Sequence, residues 1–155
     1  MSVEEAAGLS TRKASRWAPI IAIVLALTGL GDSIYLTVHH YTAEPVPCSL
    51  TNGCEMVLTS AWSTVAGIPL SLLGAVAYFV AFSLALFALF GDRRLWAIYG
   101  IQAAFMAAFS GWLLYVQGAL IGEYCQFCLL SAATSASLFV VYILSLFLTR
   151  QSVSR

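Results

Sequence analysis

The chain has 155 residues, of which 61% are hydrophobic and 9% charged, and its formal net charge is zero. Globular domains carry about 25% charged residues, so this composition excludes a water-soluble fold. Without a basic excess it also lacks the electrostatic footprint of a nucleic-acid binder, and no nucleic-acid partner is expected.

Residues 1–15 are polar and small and are expected to form a disordered cytoplasmic tail. Trp17–Val38 is the first of four apolar windows that reach the roughly 20 residues a helix needs to cross a bilayer. It is longer than the roughly 7–15-residue core of a signal peptide and lacks a small-x-small cleavage site, so it is expected to stay attached. Near its end Asp32, Tyr35 and His39 fall at spacings of three and four, on one helical face. An ionisable group inside a span faces the bundle or a wet cavity more often than lipid. Asp32 is therefore either a carboxylate bonded to neighbours at the interface or a group that moves protons at the outer rim.

Glu44-Pro45-Val46-Pro47 then breaks the helix, and Cys48 and Cys54 follow with Thr51-Asn52-Gly53 as a turn between them. Glu55 to Trp62 is mildly amphipathic and too short to span. It is expected to lie as a short helix on the outer surface, with Trp62 at headgroup depth, as a lid on the bundle mouth. The second window, Ile68–Phe90, opens with Pro69 in its first turn. It carries Ser71, Gly74 and Tyr78 on one face, where the small residues permit close packing. Gly91-Asp92-Arg93-Arg94 forms a tight inner turn. In the third window, Leu95–Gly118, residues Gly100, Ala104, Ala107, Ala108 and Gly111 make a second packing surface, with Trp112 and Tyr115 as interface anchors. The last window, Cys128–Leu148, begins inside a Cys125-x-x-Cys128 pair.

These windows predict an all-α membrane protein, a bundle of four transmembrane helices over residues 16–149 with a short surface helix in its first outer loop. Residues 150–155 form a second cytoplasmic tail. The seven basic residues fall at residues 12–16, at 93–94 and at 150–155, all at one end of such a bundle. Basic residues concentrate on the cytoplasmic side, so both termini are expected inside and all four cysteines outside. Disulfides form and persist on that face.

Three readings of the cysteines compete. Two permanent local bridges would make a non-enzymatic four-span scaffold, but neither closes a long loop, so neither stabilises much through chain entropy. A zinc site with four cysteine ligands requires two knuckles, and the wider Cys48–Cys54 spacing makes a poor one, so no metal is expected. The third reading is a dithiol relay. One exposed pair exchanges with an outside protein, and a membrane-edge pair delivers electrons to a lipid-soluble acceptor. A thiol at a helix start feels unpaired N–H groups that favour the thiolate, so Cys125 is the easier to ionise and Cys128 the deeper.

The ordered set Gly29-Leu30-x-x-Ser33-x-Tyr35, Cys48, Cys54, Ser60, Gly67-Ile68-Pro69-x-x-x-x-Gly74-x-x-x-Tyr78 and Cys125-x-x-Cys128 resembles the vitamin K epoxide reductase family in its bacterial branch. The resemblance covers about Gly29 to Ser145. It implies a membrane thiol oxidase of the bacterial cytoplasmic membrane that reduces a quinone, menaquinone or ubiquinone, and so supports disulfide formation. By the same resemblance Cys128 contacts the quinone, Cys125 exchanges with Cys54, and Cys48 meets the outside protein. Ser60, Ser71, Gly74, Tyr78 and Ala132 are the residues it places at the quinone. Leu70 and Ala132 stand where animal members have an asparagine and a tyrosine that address the quinone oxygens, and neither side chain makes those hydrogen bonds. The resemblance also implies a thioredoxin-fold dithiol protein as a separate partner, since many bacterial relatives carry such a domain fused and this sequence does not. The orientation has a direct check: a reporter active only outside the cytoplasm is expected to be silent at Arg155 and active near Pro47.

Overall fold

A computed structural model of the chain describes residues 16–49, 53–91 and 93–153. The expected tail of residues 1–15, the turn residues Thr51 and Asn52, Asp92 of the inner turn and the last two residues lie outside the described residues.

Four long helices dominate: α1 (Trp17–Thr42), α3 (Leu70–Leu89), α4 (Arg93–Val116) and α5 (Gln126–Val153). Each is long and apolar enough to cross a membrane. The helix α1 runs past the expected Val38 to Thr42, where Ala43 turns left-handed (φ 54°) and Glu44-Pro45 ends it. The segment expected as one surface helix is instead a single turn, α2 (Cys54–Leu58), followed by a 3-10 turn (Ala61–Ser63). Hydroxyls cover its last carbonyls: Thr59 Oγ1 donates to Glu55 O at 2.7 Å and Ser60 Oγ to Val57 O at 2.7 Å.

A minimal hairpin follows, unforeseen in the all-α reading. Strands β1 (Thr64–Val65) and β2 (Ile68–Pro69) pair antiparallel, Val65 opposite Ile68. Ala66 (φ 53°) and Gly67 (φ 80°) form its two-residue turn, which demands positive φ at both positions. Pro69 therefore precedes α3 instead of sitting in its first turn. The helix α4 passes into a π-helical turn (Gln117–Ile121), closed by Gly122 at φ 78°.

The helices form a ring in which α1 packs mainly on α3, α3 on α4, α4 on α5 and α5 back on α1. The seam between α1 and α3 is a ladder of small contacts. Thr37 Oγ1 donates to Ser71 Oγ at 3.1 Å, Ser33 Oγ sits 3.1 Å from where a Cβ on Gly74 would lie, and Gly29 lies against the ring of Tyr78. Buried alanines of the two helices (Ala22, Ala26, Ala81, Ala85) continue this close approach toward the other end. On the opposite side of the ring, Trp96 stacks on Tyr99 at 4.6 Å and donates Nε1–H to Ser145 Oγ at 3.1 Å.

The inward face of α4 matches the expected one at Gly100 and departs from it farther along, with Ala104 and Ala107 half-buried. Tyr99, Gly100, Ala103 and Met106 are buried, whereas Ala108 and Gly111 are exposed. Small residues permit packing on either side of a helix, so their spacing alone did not fix its rotation. Outward, the ring presents large apolar side chains, with Ile101 74% and Phe105 70% exposed. A protein with such a girdle rests in lipid, because water would penalise it heavily. The chain is a multi-pass membrane protein.

A Cβ at position 29 would fall inside the Tyr78 ring. Gly29→Ala is therefore expected to push α1 from α3 and cost about 1–3 kcal/mol, read as a lowered Tm of the detergent-solubilised protein. An unchanged Tm would refute the close seam.

Candidate active site

The helix α5 begins at Gln126, so the two CxxC cysteines flank its first turn. Leu129 N–H donates to Cys125 O at 3.0 Å, which puts Cys125 at the N-cap. Its sulfur accepts hydrogen bonds from the Cys128 thiol and from the backbone N–H groups of Cys128 and Phe127. This is the position a serine or aspartate oxygen occupies in an ordinary cap. The Cys128 hydrogen bond, helped by the two amides and opposed by burial, holds the Cys125 thiol down at about 7. The expected ranking of the two thiols stands for Cys125.

Gln117 completes the first turn, and the sequence reading did not single it out. It is 3% exposed, its Oε1 accepts Cys125 N–H at 3.1 Å, and its side chain also hydrogen-bonds Cys128. The π turn delivers it there. Insertions of this kind rotate a side chain out of the regular helical register and recur at functional sites. One uncharged polar residue in an apolar run was the available signal.

The other pair, Cys48 and Cys54, is bridged, with Cα atoms 6.2 Å apart, while Cys125 and Cys128 are free. Three features bring the two pairs together. Cys54 and Cys125, both fully buried, share one cluster with Val57, against which Cys48 and Cys128 pack. Gly53 abuts the strand of chain before Cys125, where a Cβ would stand 2.7 Å from Glu123 Cβ and 2.9 Å from Tyr124 O. Gln126 brackets Cys48: its Oε1 accepts Ser49 N–H at 3.2 Å and its Nε2 donates to Pro47 O at 3.5 Å.

Beneath the lid lies a cavity of about 970 Å³. Cys128 lines it and Cys125 does not. Ser60, Ser71, Gly74 and Tyr78 line it as well, together with Leu70, Ser131 and the lid residues Val57 to Thr64. Ala132 does not; it is buried in the helix packing, where its carbonyl accepts from Ser135 Oγ at 3.0 Å. The hydroxyls of the lining are partly committed. Ser60 caps the lid turn, and Tyr78 Oη donates to Ser131 O at 2.7 Å, tying α3 to α5. Two buried oxygens of lining residues, Asp32 Oδ2 and Gln102 Oε1, have no hydrogen-bond partner among the described residues. Of the expected face on α1, Asp32 and His39 line the cavity, while Tyr35 lies with its ring 4.4 Å from His39 and 5.4 Å from Phe127. Among the described residues no group of three metal-ligating side chains occurs.

A thiol held near 7 is mostly thiolate above that pH, so alkylation of reduced Cys125 is expected to rise through about pH 7. An unperturbed cysteine rises near 8.5. Cys128→Ala removes the largest cause and is expected to return the midpoint toward the ordinary value. Peptide-resolved mass spectrometry of alkylated protein reads both, and equal midpoints in the two proteins would refute the hydrogen bond as the cause.

Comparison with known proteins agrees with this geometry. The sequence profile of the Vitamin K epoxide reductase family matches residues 20–143, which takes in the two middle spans, most of the first and of the last, and all four cysteines. The thiol-disulfide oxidoreductase LTO1 of Arabidopsis thaliana is 35% identical over 118 residues, which cover 70% of this chain and 31% of that protein. The chain thus spans about a third of the length of that relative. With the profile matching well over half of its length, the chain belongs to the vitamin K epoxide reductase family.

Proposed function

We propose that the protein is a membrane thiol oxidase that takes electrons from a thioredoxin-fold dithiol protein and passes them to a membrane quinone, menaquinone or ubiquinone. The observation that carries this reading is the division of labour within the CxxC. Cys128 faces the cavity, whereas Cys125 is packed beside Cys54 and away from it. A pair that connects two compartments needs that asymmetry. The family and the relative's name support thiol oxidoreductase activity in the coarser sense.

A quinone fits the cavity. Its volume lies within the range of about 300–1,000 Å³ usual for small-molecule sites, and its walls are mainly apolar. The unpartnered Asp32 and Gln102 oxygens are hydrogen-bond acceptors, so they suit the hydroxyls of the reduced, quinol form. When bound, the quinone supplies a sink for two electrons and two protons. Leu70, Gly74 and the lid residues would hold its ring, and Cys128 would face it.

The rest is thiol–disulfide exchange. With Cys125–Cys128 oxidised, the Cys54 thiolate attacks Cys125, which forms a Cys54–Cys125 bond and releases the Cys128 thiolate. Cys48 then attacks Cys54, releasing the Cys125 thiolate and leaving a Cys48–Cys54 disulfide for the partner's dithiol to reduce. Cys125 is a good leaving group because its thiolate is stabilised at the helix cap. A bridged loop pair beside a reduced CxxC is a combination this relay passes through. The basic residues gathered at one end of the bundle support an orientation with both termini cytoplasmic and this chemistry on the extracytoplasmic face.

The test is quinone reduction by the purified protein supplied with a reduced thioredoxin-fold donor. Turnover is expected from the wild type. Cys48→Ala should stall with a Cys54–Cys125 bridge, visible by mass spectrometry after alkylation under oxidising conditions. Absent turnover sinks the function, and turnover without that trapped bridge sinks the order.

A further inference from the structure

The relay leaves unused a half-buried carboxylate in the cavity wall. Asp32 lies on α1, near the middle of the seam between Gly29 and Ser33, and lines the same cavity as Cys128, Tyr78 and Ser131. Its Oδ2 is buried without a hydrogen-bond partner among the described residues. A carboxylate oxygen held in that state is costly, and proteins keep such groups where they bind or carry something. Its electrostatic reach extends to Cys125 and Cys128 on one side and Tyr78 on another. Among the described residues no lysine or arginine lines the cavity to neutralise it. The other titratable lining groups are His39 and His40 later on α1, Glu44 beyond its end, and Glu55 in the lid.

We propose that Asp32 is the proton-transfer residue of this cavity, taking up the proton that leaves Cys128 and passing it to the reduced acceptor. The inference rests on the quinone reading above. As the Cys125–Cys128 bond forms, the two thiols lose two electrons and two protons, and the quinone gains both to become quinol. Asp32 accepts one of those protons on Oδ2 and gives it up again, so it ends the cycle as it began. An apolar cavity without such a carrier would have to expel a proton to water and recover another, across walls that exclude water. Of the two unpartnered oxygens in the lining, Gln102 Oε1 belongs to an amide too weakly basic to hold a proton, whereas Asp32 Oδ2 belongs to a carboxylate that can.

The test uses the full chain in detergent, a reduced thioredoxin-fold donor, and short-chain menaquinone and ubiquinone as probes. Asp32→Asn keeps the shape and removes the proton site, and it is expected to slow quinone reduction about a hundredfold. Asp32→Glu keeps the carboxyl and is expected to recover most of that loss, whereas a site that needed only shape would tolerate Asn better than Glu. A second readout needs no quinone. The Asp32 charge opposes the Cys125 thiolate, so Asp32→Asn should move the alkylation midpoint of Cys125 to lower pH. Exchange between the donor and the Cys48–Cys54 pair should stay unchanged. Wild-type turnover with an unimpaired Asp32→Asn overturns this inference alone, as does a slowed Asp32→Asn whose Cys125 midpoint has not moved. A wild type that reduces neither quinone overturns the reading above and this inference with it.

Discussion

The first turn of α5 must satisfy backbone N–H groups in a place where water is scarce, and the arrangement of the whole site follows from that demand. A helix that starts inside apolar surroundings needs an acceptor at its N-cap. Here the acceptor is a sulfur. Cys125 takes the N–H groups of Phe127 and Cys128 and the Cys128 thiol, and Gln117 takes the Cys125 N–H. The same bonds that end the helix cleanly make the thiolate of Cys125 more stable than that of an ordinary cysteine. Structure and reactivity are one set of contacts, so a change that loosens the cap also changes the chemistry.

That cap depends in turn on the chain before it. The π turn brings Gln117 inward, and Gly122 reverses the backbone so that Glu123 and Tyr124 run beside Gly53. The absent Cβ at Gly53 lets the two cysteine-bearing segments touch, and Gln126, within the CxxC itself, grips the backbone on either side of Cys48. The four cysteines are thereby held by neighbours in sequence that carry no redox chemistry of their own. The ring of long helices below serves as a rigid mounting, close at the α1–α3 seam where Gly29 admits the Tyr78 ring.

The number of spans, the positions of their ends to within a few residues, and the grouping of cysteines opposite the basic residues were legible because each follows from long-range composition. Lipid makes apolar length a strict requirement, and a twenty-residue window averages over local ambiguity. The details that failed are short and depend on tertiary contact. The lid helix ends at Leu58 with its last carbonyls covered by the Thr59 and Ser60 hydroxyls, and a two-residue hairpin turn forms at Ala66 and Gly67. The rotation of α4 was misjudged because Ala108 and Gly111 are as small as the residues that do pack. Of the residues expected at the cavity, Ser60, Ser71, Gly74 and Tyr78 reach it, and Ala132 is turned into the helix packing. Gln102 and Gln117 were not singled out, since a lone amide in an apolar run is a faint signal with no pattern around it.

Two thiol pairs, where one would suffice for a soluble oxidoreductase, follow from the position of the cavity. A protein substrate approaches through water and cannot reach a thiol under the lid, while a lipid-soluble acceptor reaches the bundle interior and cannot leave lipid for the loop. A single pair would have to be exposed to both. In the proposed relay the wet side falls to Cys48 and the lipid side to Cys128, joined through Cys54 and Cys125, which are both fully buried. Burial of the middle pair would have a consequence for fidelity. Outside protein thiols would not reach the Cys54–Cys125 step, so electrons entering at Cys48 would have one exit. The cost is that protons released in the interior need their own carrier, and an oxygen without a partner in the wall of the cavity is the kind of group that answers it.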